Sequence, residues 1–317
     1  MLAPWQKTGI VLILALGCTV VKAQDNPCLQ RTVLVSAMED SGKQLSGVNS
    51  DVFDARIGRQ KIRITSVSPA PVDRRAVLLL DVSGSMRGDR SHGKWPTAVT
   101  IAKQVLSSAP PSLSLSMIAF SDNFSEKVDF GPSARSEIAD RLQRYAAMSP
   151  LGRTPLLDTI DQATGVFAPP RIADAIYLIS DAGDNYSKNT VGRVRKRLLA
   201  SGVRLHLIYI RENGMTSFED KPDTFSTLAL ESGGWVIDVP ASLEQESGRL
   251  RQTIATAINA MLSDPLVQVH ATLPHEVSKW QYWNLRVLDE HGRKSAKLML
   301  LYPHLLAPKA CVSSTGP

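Results

Sequence analysis

The sequence predicts an α/β protein in which a doubly wound, mostly parallel sheet is accompanied by a small β-rich domain. From about residue 74 to residue 262, short apolar segments alternate with amphipathic ones, as in a parallel sheet with helices on both faces. On either side of this region, short alternating segments bounded by turn residues predict antiparallel strands. With 317 residues, 43% of them hydrophobic and 21% charged, the chain is long enough for one large core and a smaller one.

Residues 1–23 have the features of a secretory signal peptide. Lys7 precedes an apolar stretch over residues 9–21, and small residues stand where a signal peptidase reads the chain. The stretch is short for a membrane span, which needs about 20 apolar residues. We therefore expect an exported protein, periplasmic or extracellular, with no integral membrane span after cleavage. Lipid attachment at Cys18 is the minor alternative.

The charge of the chain gives no sign of a nucleic-acid partner. Loss of residues 1–23 would lower the net charge from +6 to +4, with 34 basic and 30 acidic side chains left. The densest basic cluster, residues 193–197, lies among apolar residues at helical spacing, so it predicts a solvated outer helix face.

Signal cleavage would also leave two cysteines, Cys28 and Cys311, one near each end of the mature chain. In an oxidising compartment an isolated pair favours a bridge, and a bridge closing so long a loop stabilises the fold. We hypothesise a Cys28–Cys311 disulfide. Two unpaired cysteines in the terminal tails are the alternative.

The first flank, residues 29–72, predicts short strands over residues 32–67, with turn signals at residues 40–42 and 58–59. The second flank, residues 264–310, predicts strands at residues 266–273, 283–288 and 297–302, with a turn at residues 290–292. Neither flank is large enough to fold well alone. We therefore expect the two to pair into one small β-domain from which the core, residues 74–262, emerges.

Within the core, strands are predicted at residues 76–82, 113–120, 173–180, 203–210 and 235–239. Helices are predicted at residues 96–107, 136–148, 155–167, 190–199 and 243–262. Pro96 and Pro155 suit the first turn of a helix, where a missing N–H costs nothing.

Side-chain oxygens follow two of these strands. Asp81 stands at the end of the first core strand, Ser83 and Ser85 follow it at every second position, and Asp181 follows the third strand. Thr154 lies in the loop that opens the helix between them. In an open parallel sheet, ligands bind at the carboxyl ends of strands where the winding direction reverses, so three loops can offer oxygen to one crevice. Hydroxyl and carboxylate oxygens suit a hard cation such as Mg²⁺.

With these residues in order, the core resembles a von Willebrand factor type A domain, and the five residues match its metal-ion-dependent adhesion site. The resemblance covers about residues 74–262 and continues, in order, through residues 115–122, 201–208 and 228–236. Residues 39–45 and 51–62 also resemble the segment that precedes the core in secreted bacterial proteins of this family. Ala182 is a departure, because many relatives have Gly there, but it is not a ligand position.

The resemblance implies a role for each of the five residues. Ser83 and Ser85 would bind the cation directly, and Thr154 would do so directly or through water. Asp81 and Asp181 would act mainly through water. Neutral hydroxyls leave the cation under-neutralised, so a carboxylate from a partner completes its shell. The implied protein is a non-enzymatic binding module that uses Mg²⁺, or Mn²⁺, to bind a protein ligand presenting Asp or Glu.

Two other functions compete with this interpretation. A strand that ends in Asp also serves Mg²⁺-dependent phosphohydrolases, but their usual form has a second carboxylate two residues on, where this chain has Ser83. In the other alternative the chain is a scaffold in which the metal only stiffens three loops.

Overall fold

The computed structural model describes residues 26–39, 49–87, 93–212, 224–264, 266–288, 293–295 and 298–309. The predicted signal peptide, the turn signals at residues 40–42 and 290–292, and Cys311 lie outside these residues. Cys28 lies within them and is disulfide-bonded.

The strands of the described residues are numbered in chain order: β1 (Gln30–Glu39), β2 (Phe53–Ile57), β3 (Gln60–Pro69), β4 (Arg74–Asp81), β5 (Leu113–Ser121), β6 (Phe124–Val128), β7 (Ala175–Ser180), β8 (Arg204–Arg211), β9 (Val236–Pro240), β10 (Leu266–Thr272), β11 (Gln281–Tyr282), β12 (Asn284–Val287), β13 (Leu298–Leu301) and β14 (Leu305–Leu306). The α-helices are α1 (Lys94–Ser108), α2 (Ala134–Tyr145), α3 (Leu156–Val166), α4 (Val191–Ser201), α5 (Thr224–Glu231) and α6 (Gly248–Leu262).

The predicted fold class is confirmed. One sheet has the strand order β6-β5-β4-β7-β8-β9, and every neighbouring pair in it is parallel except β5 and β6. From the central strand β4 the chain winds through α1 to β5 on one side, and then through α3 to β7 on the other. The winding direction therefore reverses at β4 and β7, which places a crevice at their carboxyl ends.

Helices cover both faces of this sheet because its strands are apolar on both sides. Residues of β4 alternate between two cores: Leu78 packs with the face that α1, α2 and α6 cover, whereas Leu79 packs with the face of α3, α4 and α5. All six residues of β7 are buried. Such continuous burial makes the strand ends rigid positions for the side chains that follow them.

The two flanks contribute strands to a separate antiparallel sheet with the order β12-β2-β3-β10-β1-β13. In it β1, from the first flank, lies between β10 and β13, from the second. The apolar side of this sheet forms its own core around Phe53, Val269 and Trp283. A further two-stranded ladder joins β11 to β14.

A buried acid links this sheet to the α/β unit. Asp264, just after α6, accepts hydrogen bonds from Ser36 Oγ of β1 at 2.6 Å and from Trp235 Nε1 at 3.2 Å. It also pairs with Arg204 of β8 at 3.3 Å, and both side chains are almost fully buried. These contacts lie at the amino ends of the parallel strands, roughly 23 Å along β4 from Asp81 at about 3.3 Å per residue.

Several predicted elements needed correction. The edge strand β6 and the helix α5 were absent from the sequence prediction. Helix α1 begins at Lys94, two residues before Pro96. The predicted helix at residues 243–262 is a short 3₁₀ turn followed by α6, because the side chain of Ser247 caps a new helix by accepting from the N–H of Leu250.

Candidate metal centre

Asp81 is the last residue of β4 and is fully buried. Its Oδ1 accepts a hydrogen bond from the backbone N–H of Ser83 at 2.9 Å, and its Oδ2 accepts one from Ser180 Oγ at 2.6 Å. Both carboxylate oxygens are thus held in fixed directions by neutral donors.

Burial raises the pKa of Asp81 to about 6, while the hydrogen bonds from Ser180 and Ser83 act in the opposite direction. A carboxylate held in an apolar setting with no cation beside it is costly. A divalent ion in the crevice would favour the charged form and offset that cost.

The next two predicted ligands lie in a tight turn above the strand. Ser83 is buried and Ser85 is exposed, and residues Gly84–Arg87 form a 3₁₀ turn. The hydroxyls of Ser83 and Ser85 lie 3.2 Å apart, and Ser85 Oγ donates to Asp181 Oδ1 at 3.2 Å. The spacing seen in the sequence therefore gives adjacent hydroxyls that reach the end of the neighbouring strand.

Thr154 belongs to a loop that is bonded to both of the other loops. Gly84 N–H donates to the carbonyl of Gly152 at 2.8 Å, which joins this loop to the serine turn. The N–H of Thr154 donates to Asn185 Oδ1 at 2.8 Å, which joins it to the loop after β7. Thr154 is 1% exposed, and no group among the described residues hydrogen-bonds its hydroxyl.

Asp181 directly follows β7 and is paired with a lysine that the sequence prediction missed. Its Oδ2 accepts from Lys94 Nζ at 2.6 Å, and both side chains are 9% exposed. Its Oδ1 accepts from Ser85 and from the N–H of Gly183. The ammonium thus occupies one oxygen of the carboxylate while the other faces the serine turn.

Ser180, the residue that holds Asp81, was also missed. Strand register could have found it: Leu80 pairs with Ile179, so the next residues along, Asp81 and Ser180, lie side by side at the ends of β4 and β7. Lys94 gives no comparable signal, because its place depends on where the first turn of α1 lies in space.

These residues fit a hard divalent cation. The two carboxylates and three hydroxyls are all oxygen donors, and the Thr154 hydroxyl has no other use within the described part of the chain. Over the same described residues, no group of three or more His, Cys, Asp or Glu side chains is arranged to hold a metal. The candidate centre therefore depends on its hydroxyls, as Mg²⁺ and Mn²⁺ sites can.

Apolar and aromatic side chains stand around the crevice. Leu151, three residues before Thr154, is 59% exposed, and Tyr186, five residues after Asp181, is 42% exposed. The Arg153 guanidinium lies 3.6 Å from the centre of the Tyr186 ring and pairs with Asp122 at 2.8 Å. The hydrogen bonds from Arg153 hold the pKa of Asp122 below its usual range.

Residues 76–184 match the sequence profile of the von Willebrand factor type A domain family. These residues run from β4 through β7 to the loop after it, so they contain all five predicted ligands. The protein therefore contains a von Willebrand factor type A domain, a class whose members commonly act as metal-dependent adhesion or interaction modules.

Solved structures with a similar chain trace include an aerotolerance-related membrane protein from Bacteroides fragilis, at 18% identity, with 59% of this chain and 98% of that chain covered and a TM-score of 0.42. Manganese-loaded TRAP protein from Plasmodium vivax has 15% identity, with 74% of this chain and 95% of that chain covered and a TM-score of 0.44. Proximal thread matrix protein 1 from the mussel byssus, with a zinc-occupied metal-ion-dependent adhesion site, has 14% identity, with 67% of this chain and 50% of that chain covered and a TM-score of 0.43. No curated protein matches the sequence significantly.

None of the helices in the described part of the chain is both long enough and apolar enough to span a bilayer.

Proposed function

We propose that this protein is an exported, non-enzymatic module that binds a protein partner through a divalent cation, with a partner carboxylate completing the coordination of Mg²⁺ or Mn²⁺. The observation that supports this most directly is the series of hydrogen bonds that links Asp81 to Asp181 through Ser83 and Ser85, at the carboxyl ends of β4 and β7. We further propose that the α/β domain spans residues 74–262 and that the flanks, 29–72 and 264–310, form its companion.

The hydrogen bonds of the acids explain why a partner is needed. Both oxygens of Asp81 already accept bonds from Ser83 and Ser180, and one oxygen of Asp181 accepts from Lys94. The oxygens left for direct coordination are therefore mostly neutral hydroxyls, which stabilise a divalent charge less than carboxylates do. The cation therefore keeps part of its positive charge unneutralised, and this charge attracts an anionic oxygen from a partner.

The surroundings of the crevice indicate which partner fits. Leu151 and Tyr186 offer exposed apolar area beside the centre, and the stacked Arg153 adds a positive charge. We propose a partner segment in which an acidic residue has an apolar neighbour, the first reaching the cation and the second contacting Leu151. Large exposed apolar groups next to a polar site are typical of interaction surfaces.

Cation binding is tested by titrating Mg²⁺ and Mn²⁺ into the full-length mature protein by calorimetry. Ser85→Ala should bind at least about tenfold more weakly, because a direct ligand is removed. Ser85 is exposed, so this variant should keep its fold. Ser107→Ala, at the far end of α1, is the matched control and should bind like the wild type. Absence of uptake by folded wild-type protein would contradict the proposed cation site.

Partner chemistry is tested by selecting peptides from a display library on the immobilised protein in Mg²⁺. Selected peptides should contain Asp or Glu, should be released by chelator, and should lose binding when that residue becomes Asn or Gln. Leu151→Ser should weaken the same peptides without changing cation uptake. Selection of peptides that bind equally in chelator argues against the proposal.

The alternatives give different results in the same experiments. A scaffold with a structural metal would gain thermal stability from Mg²⁺ but select no cation-dependent peptide. A phosphohydrolase would release phosphate from a general aryl phosphate substrate in Mg²⁺. The position two residues after Asp81, where such enzymes place their general acid, has the hydroxyl of Ser83, so we expect no turnover.

A further inference from the structure

Lys94 stands in a place that local physics disfavours. It is the first residue of α1, and the helix dipole disfavours a cation at a helix N-terminus. Its side chain is only 9% exposed, so the ammonium has also lost most of its water. Another explanation is needed for a lysine at this position.

Asp181 offsets these unfavourable effects. Lys94 Nζ donates to Asp181 Oδ2 at 2.6 Å, a short charge-assisted hydrogen bond between two nearly buried groups. The same carboxylate accepts from Ser85 on its other oxygen. A buried ammonium and the oxygens of the candidate metal centre therefore share one carboxylate.

Charge counting shows what this arrangement does. With Asp81 and Asp181 ionised and Lys94 protonated, the described groups of the centre sum to −1, so a divalent cation brings the total to +1. Without the lysine charge the loaded centre would be neutral. In a site of low effective dielectric, a like charge this close to the shared carboxylate weakens cation binding by electrostatic repulsion.

We propose that Lys94 is a built-in competitor of the metal: it lowers cation affinity and leaves the loaded centre with an excess positive charge that only an anionic partner neutralises. This rests on the proposed function. It makes cation and partner binding mutually reinforcing, because by linkage a partner carboxylate raises cation affinity by the same factor as the cation raises partner affinity.

The experiment uses the metal alone as the probe. Mg²⁺ and Mn²⁺ are titrated by calorimetry into the wild type, Lys94→Gln and Lys94→Met, with circular dichroism confirming the fold. Glutamine keeps an N–H donor for Asp181 without the charge, and methionine removes both. Lys103→Gln, an exposed lysine on the same helix, is the matched control. We expect both Lys94 variants to bind at least about tenfold more tightly than the wild type and the control to be unchanged.

Each outcome decides the matter. Tighter binding by both variants supports the proposal, as does uptake by the variants when the wild type takes up none. If Lys94→Met binds more weakly and Lys94→Gln binds like the wild type, the lysine only positions Asp181 and the proposal is wrong. Equal affinity in all proteins also overturns it while leaving the proposed cation site intact. No uptake by any of them contradicts the cation site itself, and this proposal with it.

Discussion

Ser180 donates a hydrogen bond to Asp81 across two neighbouring strand ends, with 2.6 Å between Ser180 Oγ and Asp81 Oδ2. The same hydroxyl accepts from the N–H of Ala182 at 3.0 Å. Ser180 thus supports the buried acid of β4 and the first turn of the loop after β7 at once, although it is not itself one of the predicted ligands.

Replacing Ser180 with Ala should therefore destabilise the protein by about 2 kcal/mol, because a buried carboxylate oxygen loses its donor. The measurement is urea unfolding in chelator, so that metal binding does not contribute. Ser107→Ala, which removes an exposed hydroxyl that donates to the carbonyl of Gln104 within α1, is the control and should change stability by less than about 0.5 kcal/mol. Equal stability of the two variants would show that Ser180 does not hold Asp81.

The sequence was sufficient for the elements whose apolar pattern is strong and insufficient for those held by their surroundings. The buried strands β4 and β7 are continuous apolar runs, so pattern alone finds them. The edge strand β6 has only one buried residue, Val128, and pairs on one side only, so its pattern is weak. Its place in the sheet comes from β5, against which it folds back.

The same division holds within the site. Asp81 and Asp181 could be predicted to meet because the carboxyl ends of adjacent parallel strands share one edge of the sheet. Lys94 could not, because its side chain enters from a helix that begins after residues 88–92, and no sequence spacing relates that helix to Asp181. Of the two missed residues, Ser180 follows from strand register, whereas Lys94 depends on the direction of its side chain.

Ala182 provides a second prediction, since its backbone has a φ of 57°. A residue with a Cβ is disfavoured in this left-handed region by roughly 1–2 kcal/mol, and Gly is not. Ala182→Gly should raise the free energy of unfolding by about 0.5 kcal/mol, after allowing for the greater freedom of Gly in the unfolded chain. Chemical denaturation in chelator measures this.

The matched control is Ala146→Gly, because Ala146 is exposed and has an ordinary right-handed φ of −56° after α2. There the substitution should lower stability by about 0.5–1 kcal/mol. A gain of stability for Ala182→Gly and a loss for Ala146→Gly would confirm that the left-handed backbone at Ala182 is strained. A loss at both positions would contradict it.

His206 provides a pH prediction. It is buried in β8, its Nδ1 accepts from the N–H of Trp235 at 3.2 Å, and burial holds its pKa well below the usual 6.5. The folded protein therefore keeps His206 neutral while the unfolded chain protonates it near pH 6.5. Its contribution to stability is complete above pH 6.5 and is lost as the pH falls below that value, by up to about 1.4 kcal/mol per pH unit.

His206→Asn keeps an acceptor near the Nδ1 position and removes the titration. Urea unfolding between pH 8 and pH 5 should show a shallower loss of stability for this variant than for the wild type. Some slope should remain, because burial also lowers the pKa of His304. Parallel profiles for the two proteins would show that His206 does not stay neutral in the fold.

Cys28 provides a covalent prediction. Lys309 Nζ donates to the carbonyl of Pro27 at 2.7 Å, so the chain two residues before Cys311 lies beside Cys28, which is disulfide-bonded. We predict that peptide mapping of non-reduced protein recovers Cys28 linked to Cys311. Reduction should lower stability by about 4 kcal/mol, since the bridge closes nearly the whole chain. Recovery of both thiols free, or of Cys28 bound to Cys18, would contradict this pairing.

Replacing Asp264 with Ala should give the largest loss of stability among these predictions. Its carboxylate accepts from Ser36, Trp235 and Arg204, and the Arg204 and Asp264 side chains are 3% and 1% exposed. Asp264→Ala leaves a buried guanidinium without its charge partner and two other donors unsatisfied. The free energy of unfolding should therefore fall by about 3–5 kcal/mol. Asp54→Ala removes an acid paired with Arg56, whose side chain is 52% exposed, and should cost under about 1 kcal/mol.

The same variant tests how the two sheets are coupled. Ser36 is in the antiparallel sheet and Arg204 is in the parallel one. Asp264→Ala should therefore weaken the coupling between the two sheets and broaden the single urea transition expected of the wild type. A variant as stable as Asp54→Ala would mean that the Asp264 carboxylate does not hold the two sheets together.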